Sequence, residues 1–199
     1  MSSTAVMAVR RPLREAWWWF KGMNVMNPPL PERVQSMLFV CLGNICRSPF
    51  AALIAARRLE QAEDTRIRCA SAGIRTTQAA RSPHEAREVA AAFGVSLDEH
   101  RPQTLTRELV DEYDLIVVME LRQLETLREA YPDAVDRIVL LSLFDPDAGT
   151  PYERVNIQDP FSRPRDAFVS CYERIDRAVN ALLLATRPAG ASLRTEEPC

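Results

Sequence analysis

Cys41 and Arg47 are separated by five residues in the run Cys41-Leu42-Gly43-Asn44-Ile45-Cys46-Arg47-Ser48. An apolar segment, Met37 to Val40, leads into it, and Ser48-Pro49 has the character of a helix opening. A turn of this kind between strand and helix lets successive backbone N–H groups converge on one point, and the helix N-terminus adds partial positive charge. Such a loop is a cradle for an anion, above all a phosphate dianion. Arg47 can bind two phosphoryl oxygens with its planar fork, which lysine would not reproduce. The same field favours the thiolate form of Cys41, which is the nucleophile. Ser48 can donate its hydroxyl to that sulfur, while Gly43 and Asn44 tolerate the unusual dihedral angles of a tight loop. Leu42, Ile45 and Cys46 complete the phosphate-binding set.

Two plainer explanations compete with this one. A cysteine and an arginine at this spacing arise by chance, and a cysteine ending an apolar strand can simply be core. A zinc site built on Cys41 and Cys46 would need a second close pair, and Cys69, Cys171, Cys199, His84 and His100 do not form one in the sequence.

The elements that must hold this loop follow from hydrophobic pattern. Met37–Cys41 suits a buried parallel strand, broken by Gly43 and Asn44; Ser48 is a possible cap before Pro49, and Phe50 to Leu59 continues a helix. Further strands fit Ile67 to Ala70, Leu115 to Met119 and Arg137 to Leu141, and helices fit Pro83 to Phe93 and Leu121 to Ala130. The stretch from Ser142 to Pro164, rich in proline and aspartate, reads as a long loop. Phe168, Cys171, Tyr172, Ile175, Val179, Leu182 and Leu183 then mark a helix over Arg165 to Thr186. Alternation of this kind predicts an α/β fold, a parallel sheet between two helical layers, with ligands beyond the carboxyl ends of the strands. Cys41 falls at such an end.

Composition sets outer bounds. With 199 residues, 47% of them hydrophobic, the chain can bury one substantial core. A formal charge of -2 gives no global attraction to nucleic acid. Five cysteines, an odd number, and no evident signal peptide point to a reduced, cytoplasmic protein, and no apolar run approaches the length of a transmembrane helix. Residues 1–36 read as an extension, flexible or binding a partner, and residues 188–199 as a tail, around a domain at 37–187. Arg10, Arg11 and Arg14 beside Trp17–Phe20 could touch a membrane surface, although three consecutive tryptophans cannot share one helical face. A start codon placed too early is a further reading of this stretch, with Met23, Met26 or Met37 as the natural start.

In this setting the run Val40 to Pro49 resembles the opening of the low-molecular-weight protein tyrosine phosphatases, of bacterial type. The resemblance continues through Ser71-Ala72-Gly73, His100-Arg101, Tyr113 to Met119 and Asp159-Pro160-Phe161. It implies a three-layer α/β/α fold with a four-stranded parallel sheet and the phosphate-binding loop after the first strand. It also implies hydrolysis of phosphotyrosine through a phosphocysteine intermediate, with no cofactor or metal, by Cys41, Arg47 and a late aspartate. That carboxyl must give the phenolate a proton and later activate water. Asp145-Pro146 and Asp159-Pro160 both qualify; Asp159, shortly before the last helix and followed by an aromatic, matches the family. Cys46 would trap an oxidised Cys41 as a disulfide, or merely fill space, and Ser71 and His100 would brace the loop through Asn44. The substrate implied is a phosphotyrosine protein, such as a tyrosine autokinase in exopolysaccharide production. An arsenate reductase of the same fold would need a further pair of cysteines between Cys69 and Cys171, where there is none. A phosphotyrosine-binding module without catalysis would not need all three catalytic groups.

Overall fold

The computed structural model describes residues 19–64, 66–77 and 81–187. Four strands, β1 (Ser36–Cys41), β2 (Arg68–Gly73), β3 (Leu115–Val118) and β4 (Ile138–Leu140), form one parallel sheet in the order β2-β1-β3-β4. The helices are α1 (Arg47–Gln61), α2 (His84–Ala92), α3 (Arg107–Glu112), α4 (Leu121–Ala130), α5 (Pro151–Val155) and α6 (Arg165–Ala185). Every residue of β1, β3 and β4 is buried, which is why these strands read as unbroken apolar runs. Alternate side chains feed two cores. Met37, Phe39 and Val117 pack with α1, α2 and α6, where Phe50 stacks on Tyr172 at 3.8 Å; Leu38, Val40 and Ile116 pack with α3 and α4. The three-layer arrangement and the four-stranded sheet are those expected.

The chain runs outward from β1 in both directions, so the crevice at its carboxyl end is the topological switch point of the sheet. Two short helices depart from the expected pattern. Helix α3 is capped by Thr106, whose hydroxyl accepts from Leu109 N at 3.3 Å. The segment read as one loop from Ser142 to Pro164 contains α5, opened by a capping box: Thr150 Oγ1 accepts from Glu153 N, and Glu153 Oε2 accepts from Thr150 N. Five residues are too few for a hydrophobic period to show.

The described part of the extension lies against the body. Residues 19–24 are helical, and Gly22 meets the Pro151 carbonyl so closely that a Cβ would sit 2.4 Å from its oxygen. Lys21 pairs with Glu125 at 2.8 Å, and the Asn27 side chain both donates to Leu140 O and accepts from Leu140 N on the outer side of β4. Trp19 and Phe20 are exposed; Trp17 and Trp18 lie outside the described residues, as does the tail at 188–199. Among the described residues no helix is long and apolar enough to cross a membrane.

Candidate active site

Strand β1 delivers Cys41 as its last residue, and the chain reaches α1 through Asn44 in the left-handed region at φ 54°. Two donors converge on the sulfur: Asn44 N at 3.3 Å and Ser48 Oγ at 3.0 Å. Helix α1 begins at Arg47, so Ser48 stands within the first turn and does not cap it. Its hydroxyl serves the sulfur instead, with Ala72 O an alternative acceptor at 3.2 Å.

Asn44 is fully buried and bonded on every side. Its Nδ2 donates to Ser48 Oγ and to Ser71 Oγ, both at 2.9 Å, and its Oδ1 accepts from Gln103 N at 2.9 Å. His100 Nε2 reaches Asn44 O at 2.7 Å, and since a carbonyl only accepts, that nitrogen carries the proton. Burial pulls the His100 pKa below its ordinary value, opposed by this hydrogen bond and reinforced by Arg101. Ser71 and His100 thus meet the loop through Asn44. Gly43, expected to provide backbone freedom, does not have positive φ, and a Cβ there would meet only Ile45 at 3.6 Å. The glycine the cradle requires is Gly73: a Cβ would stand 2.9 Å from Asn44 N.

Arg47 is 1% exposed beneath the loop. Its Nη2 lies 2.5 Å from Asp159 Oδ2, and its Nη1 donates to Ile157 O at 3.0 Å and to the Glu120 carboxylate. Its Nε is buried with no protein partner. Burial opposes the guanidinium charge, but Cys41, Asp159 and Glu120 outweigh it and hold the group more firmly protonated than usual. Asp159 Oδ1 accepts from Phe161 N at 3.1 Å. Asp145 is elsewhere, its carboxylate wholly buried between Arg174 and Arg177.

Cys41, Ile45, Arg47, Asp159 and Phe161 line a cleft of about 210 Å³, with Leu42 and Phe161 exposed at its rim. Cys46 faces the same cleft from a buried position. Burial, with Asp159 and Cys41 nearby, pushes its thiol far above the usual range, and Tyr172 OH donates to its carbonyl at 3.2 Å. A buried sulfur with two donors, an arginine fork and a carboxylate across a small apolar-rimmed cleft can hold a tetrahedral oxyanion and exchange a proton with a group leaving it. Sequence reasoning missed Glu120 and Gln103. The position of Glu120 immediately beyond an apolar strand, at the edge where ligands bind, was the available signal; Gln103 gave none.

Comparison with known proteins places this geometry. The family model described as "Low molecular weight phosphotyrosine protein phosphatase" matches residues 36–197. A probable low molecular weight protein-tyrosine-phosphatase, EpsP of Ralstonia nicotianae, is 32% identical over 79% of this chain and 99% of its own length. Among solved structures, Vibrio vulnificus Wzb in complex with benzylphosphonate is 33% identical, with a TM-score of 0.63 over 75% of this chain and 97% of that one. The tyrosine phosphatase Wzb from Escherichia coli K30 in complex with sulphate is 30% identical, with a TM-score of 0.66 over 76% and 99%. Both the sequence over the whole cradle-bearing region and the fold that positions it therefore agree: the chain belongs to the low molecular weight phosphotyrosine protein phosphatases.

Proposed function

We propose that this protein-tyrosine-phosphatase works with Cys41 as nucleophile, Arg47 as the clamp on the phosphoryl group and Asp159 as the proton carrier. One arrangement supports this most: Cys41 sulfur with two donors aimed at it, lining one cleft with Arg47 and its partner Asp159. In the first step the thiolate forms an S–P bond as the O–P bond to tyrosine breaks, and Asp159 gives its proton to the departing phenolate oxygen. In the second, Asp159 takes a proton from water, the water oxygen bonds to phosphorus, and the S–P bond breaks to restore the thiolate. Arg47 and the backbone N–H groups of residues 42–48 hold the three equatorial oxygens, most tightly as the group flattens. Leu42 and Phe161 flank the tyrosine ring. Cys46 stands ready to form a disulfide with an oxidised Cys41.

The substrate is a phosphotyrosine protein in the cytoplasm, and a bacterial tyrosine autokinase in exopolysaccharide production is the partner the resemblance favours. Residues 37–187 constitute the catalytic domain, with the extension and tail outside it. The test is hydrolysis of para-nitrophenyl phosphate in EDTA. Wild type should turn over, Cys41→Ser should be inactive while still binding phosphate, and Asp159→Ala should lose roughly 10²-fold or more in kcat. Reduced, folded wild type without turnover would sink the proposal, and a parallel arsenate-reduction assay would then discriminate the rival chemistry.

A further inference from the structure

Asp145 was set aside as a proton carrier, yet it is a wholly buried carboxylate, and such a group needs a reason to be there. Its Oδ2 lies 2.7 Å from Arg174 Nε and its Oδ1 3.3 Å from Arg177 Nε, both arginines belonging to α6. Arg174 then directs its two terminal nitrogens at main-chain carbonyls of another segment: Nη1 to Asn156 O at 2.7 Å and Nη2 to Glu153 O. These carbonyls belong to the end of α5 and the residue that follows it.

The chain they hold leads directly into the site. Asn156 Oδ1 accepts from Leu121 N at 3.2 Å, and Asn156 forms a bridge with Glu120, itself a partner of Arg47. Ile157 N donates to Met119 O at 2.8 Å, and Ile157 O accepts from Arg47 Nη1. Asp159 follows two residues later. A groove of about 560 Å³ is lined on one side by this segment, through Asn156, Ile157, Gln158 and Pro160, and on the other by α6, through Cys171 and Arg174, so the Arg174 hydrogen bonds tie the two across an open space.

We infer that Asp145 and Arg174 are positioning residues: together they fix the segment from Glu153 to Ile157, and through it the placement of the Asp159 carboxyl. Asp145 occupies the Nε edge of the guanidinium, which fixes its plane, and the planar fork can then meet two carbonyls at once. A lysine could not reach both with fixed geometry. The inference rests on the proposed proton-carrying role of Asp159.

The experiment compares phenyl phosphate, whose leaving group needs a proton, with para-nitrophenyl phosphate, whose leaving group needs it far less. Arg174→Met, Arg174→Lys and Asp145→Asn are measured beside wild type, each alone and combined with Asp159→Ala, with thermal unfolding recorded for all. Positioning predicts a kcat/KM loss on phenyl phosphate of about tenfold or more and a clearly smaller kcat/KM loss on para-nitrophenyl phosphate, since this ratio reports the step that expels the leaving group. It also predicts that the loss disappears in the Asp159→Ala background. Equal losses on both substrates, or losses that simply add to that of Asp159→Ala, would overturn it. Asp145→Asn keeps the shape of the buried group and one acceptor, so it tests the idea even if Arg174→Met fails to fold. Wild type inactive on both substrates would instead bring down the phosphatase mechanism, and this inference with it.

Discussion

His100 and Asn44 illustrate how single residues here serve geometry more than chemistry. Asn44 holds a left-handed conformation that costs a side-chain-bearing residue about 1–2 kcal/mol, and three side-chain hydrogen bonds offset it. His100 supplies a further bond to the same residue's carbonyl from a half-buried position that lowers its pKa below the ordinary 6.5. A folded-state value below the unfolded one means that, on acidification, the unfolded chain takes up the proton first. The His100 contribution is therefore whole above about pH 6.5 and is lost as pH falls through that value toward the folded one. The expected outcome is that the difference in urea-unfolding free energy between wild type and His100→Gln shrinks from about pH 7.5 to about pH 5. A difference that stayed constant or grew would contradict this. The cradle itself was legible in sequence because its residues are contiguous and each type has a task within the loop. Gln103 and Gly73 were not, since one lies far along the chain and binds through its own N–H and a side-chain amide on Ser71 O, and the other acts through the space it leaves.

At the scale of elements, long buried strands and helices were readable because their apolar spacing is enforced over several residues. The helices α3 and α5 were not, since six and five residues carry little period and declare themselves only by their caps. Helix α5 matters beyond its size, because Gly22 packs on its first residue and Arg174 binds near its last. Thr150→Ala removes both Thr150 side-chain partners in the capping box and should lower unfolding free energy by about 1 kcal/mol. If α5 transmits to the acid-bearing segment, amide exchange at Asn156 and Ile157 should accelerate more than at β1, measured by hydrogen–deuterium exchange. Uniform acceleration across the domain would show that the cap acts on global stability alone.

For the molecule as a whole, the extension was the least readable part: its tryptophans and prolines suggested an appendage, whereas residues 19–35 are partly folded against the sheet and α5. Packing against distant partners leaves no periodic signature in a stretch whose described helix covers only residues 19–24. A chain starting at Met37 loses the Lys21–Glu125 pair, the Asn27 contacts and the seat of Gly22 on Pro151, together with Val34 of the core and the Ser36–Asp114 hydrogen bonds at the start of β1. Its Tm should fall, by roughly 2–4 °C for each kcal/mol those contacts contribute, and calorimetry of both forms would measure it. An unchanged Tm would mean that the contacts add nothing to stability.

Asn27 has one more consequence. Strand β4 is an edge of the sheet, and the Asn27 carboxamide offers Leu140 the donor and acceptor that another strand's peptide group would offer. The side chain thus stands in for a neighbouring strand and denies that place to a second molecule. Arg128 does the same one turn of the pleat earlier, donating to Ile138 O at 3.2 Å, so two side chains rather than a fifth strand close this short apolar edge.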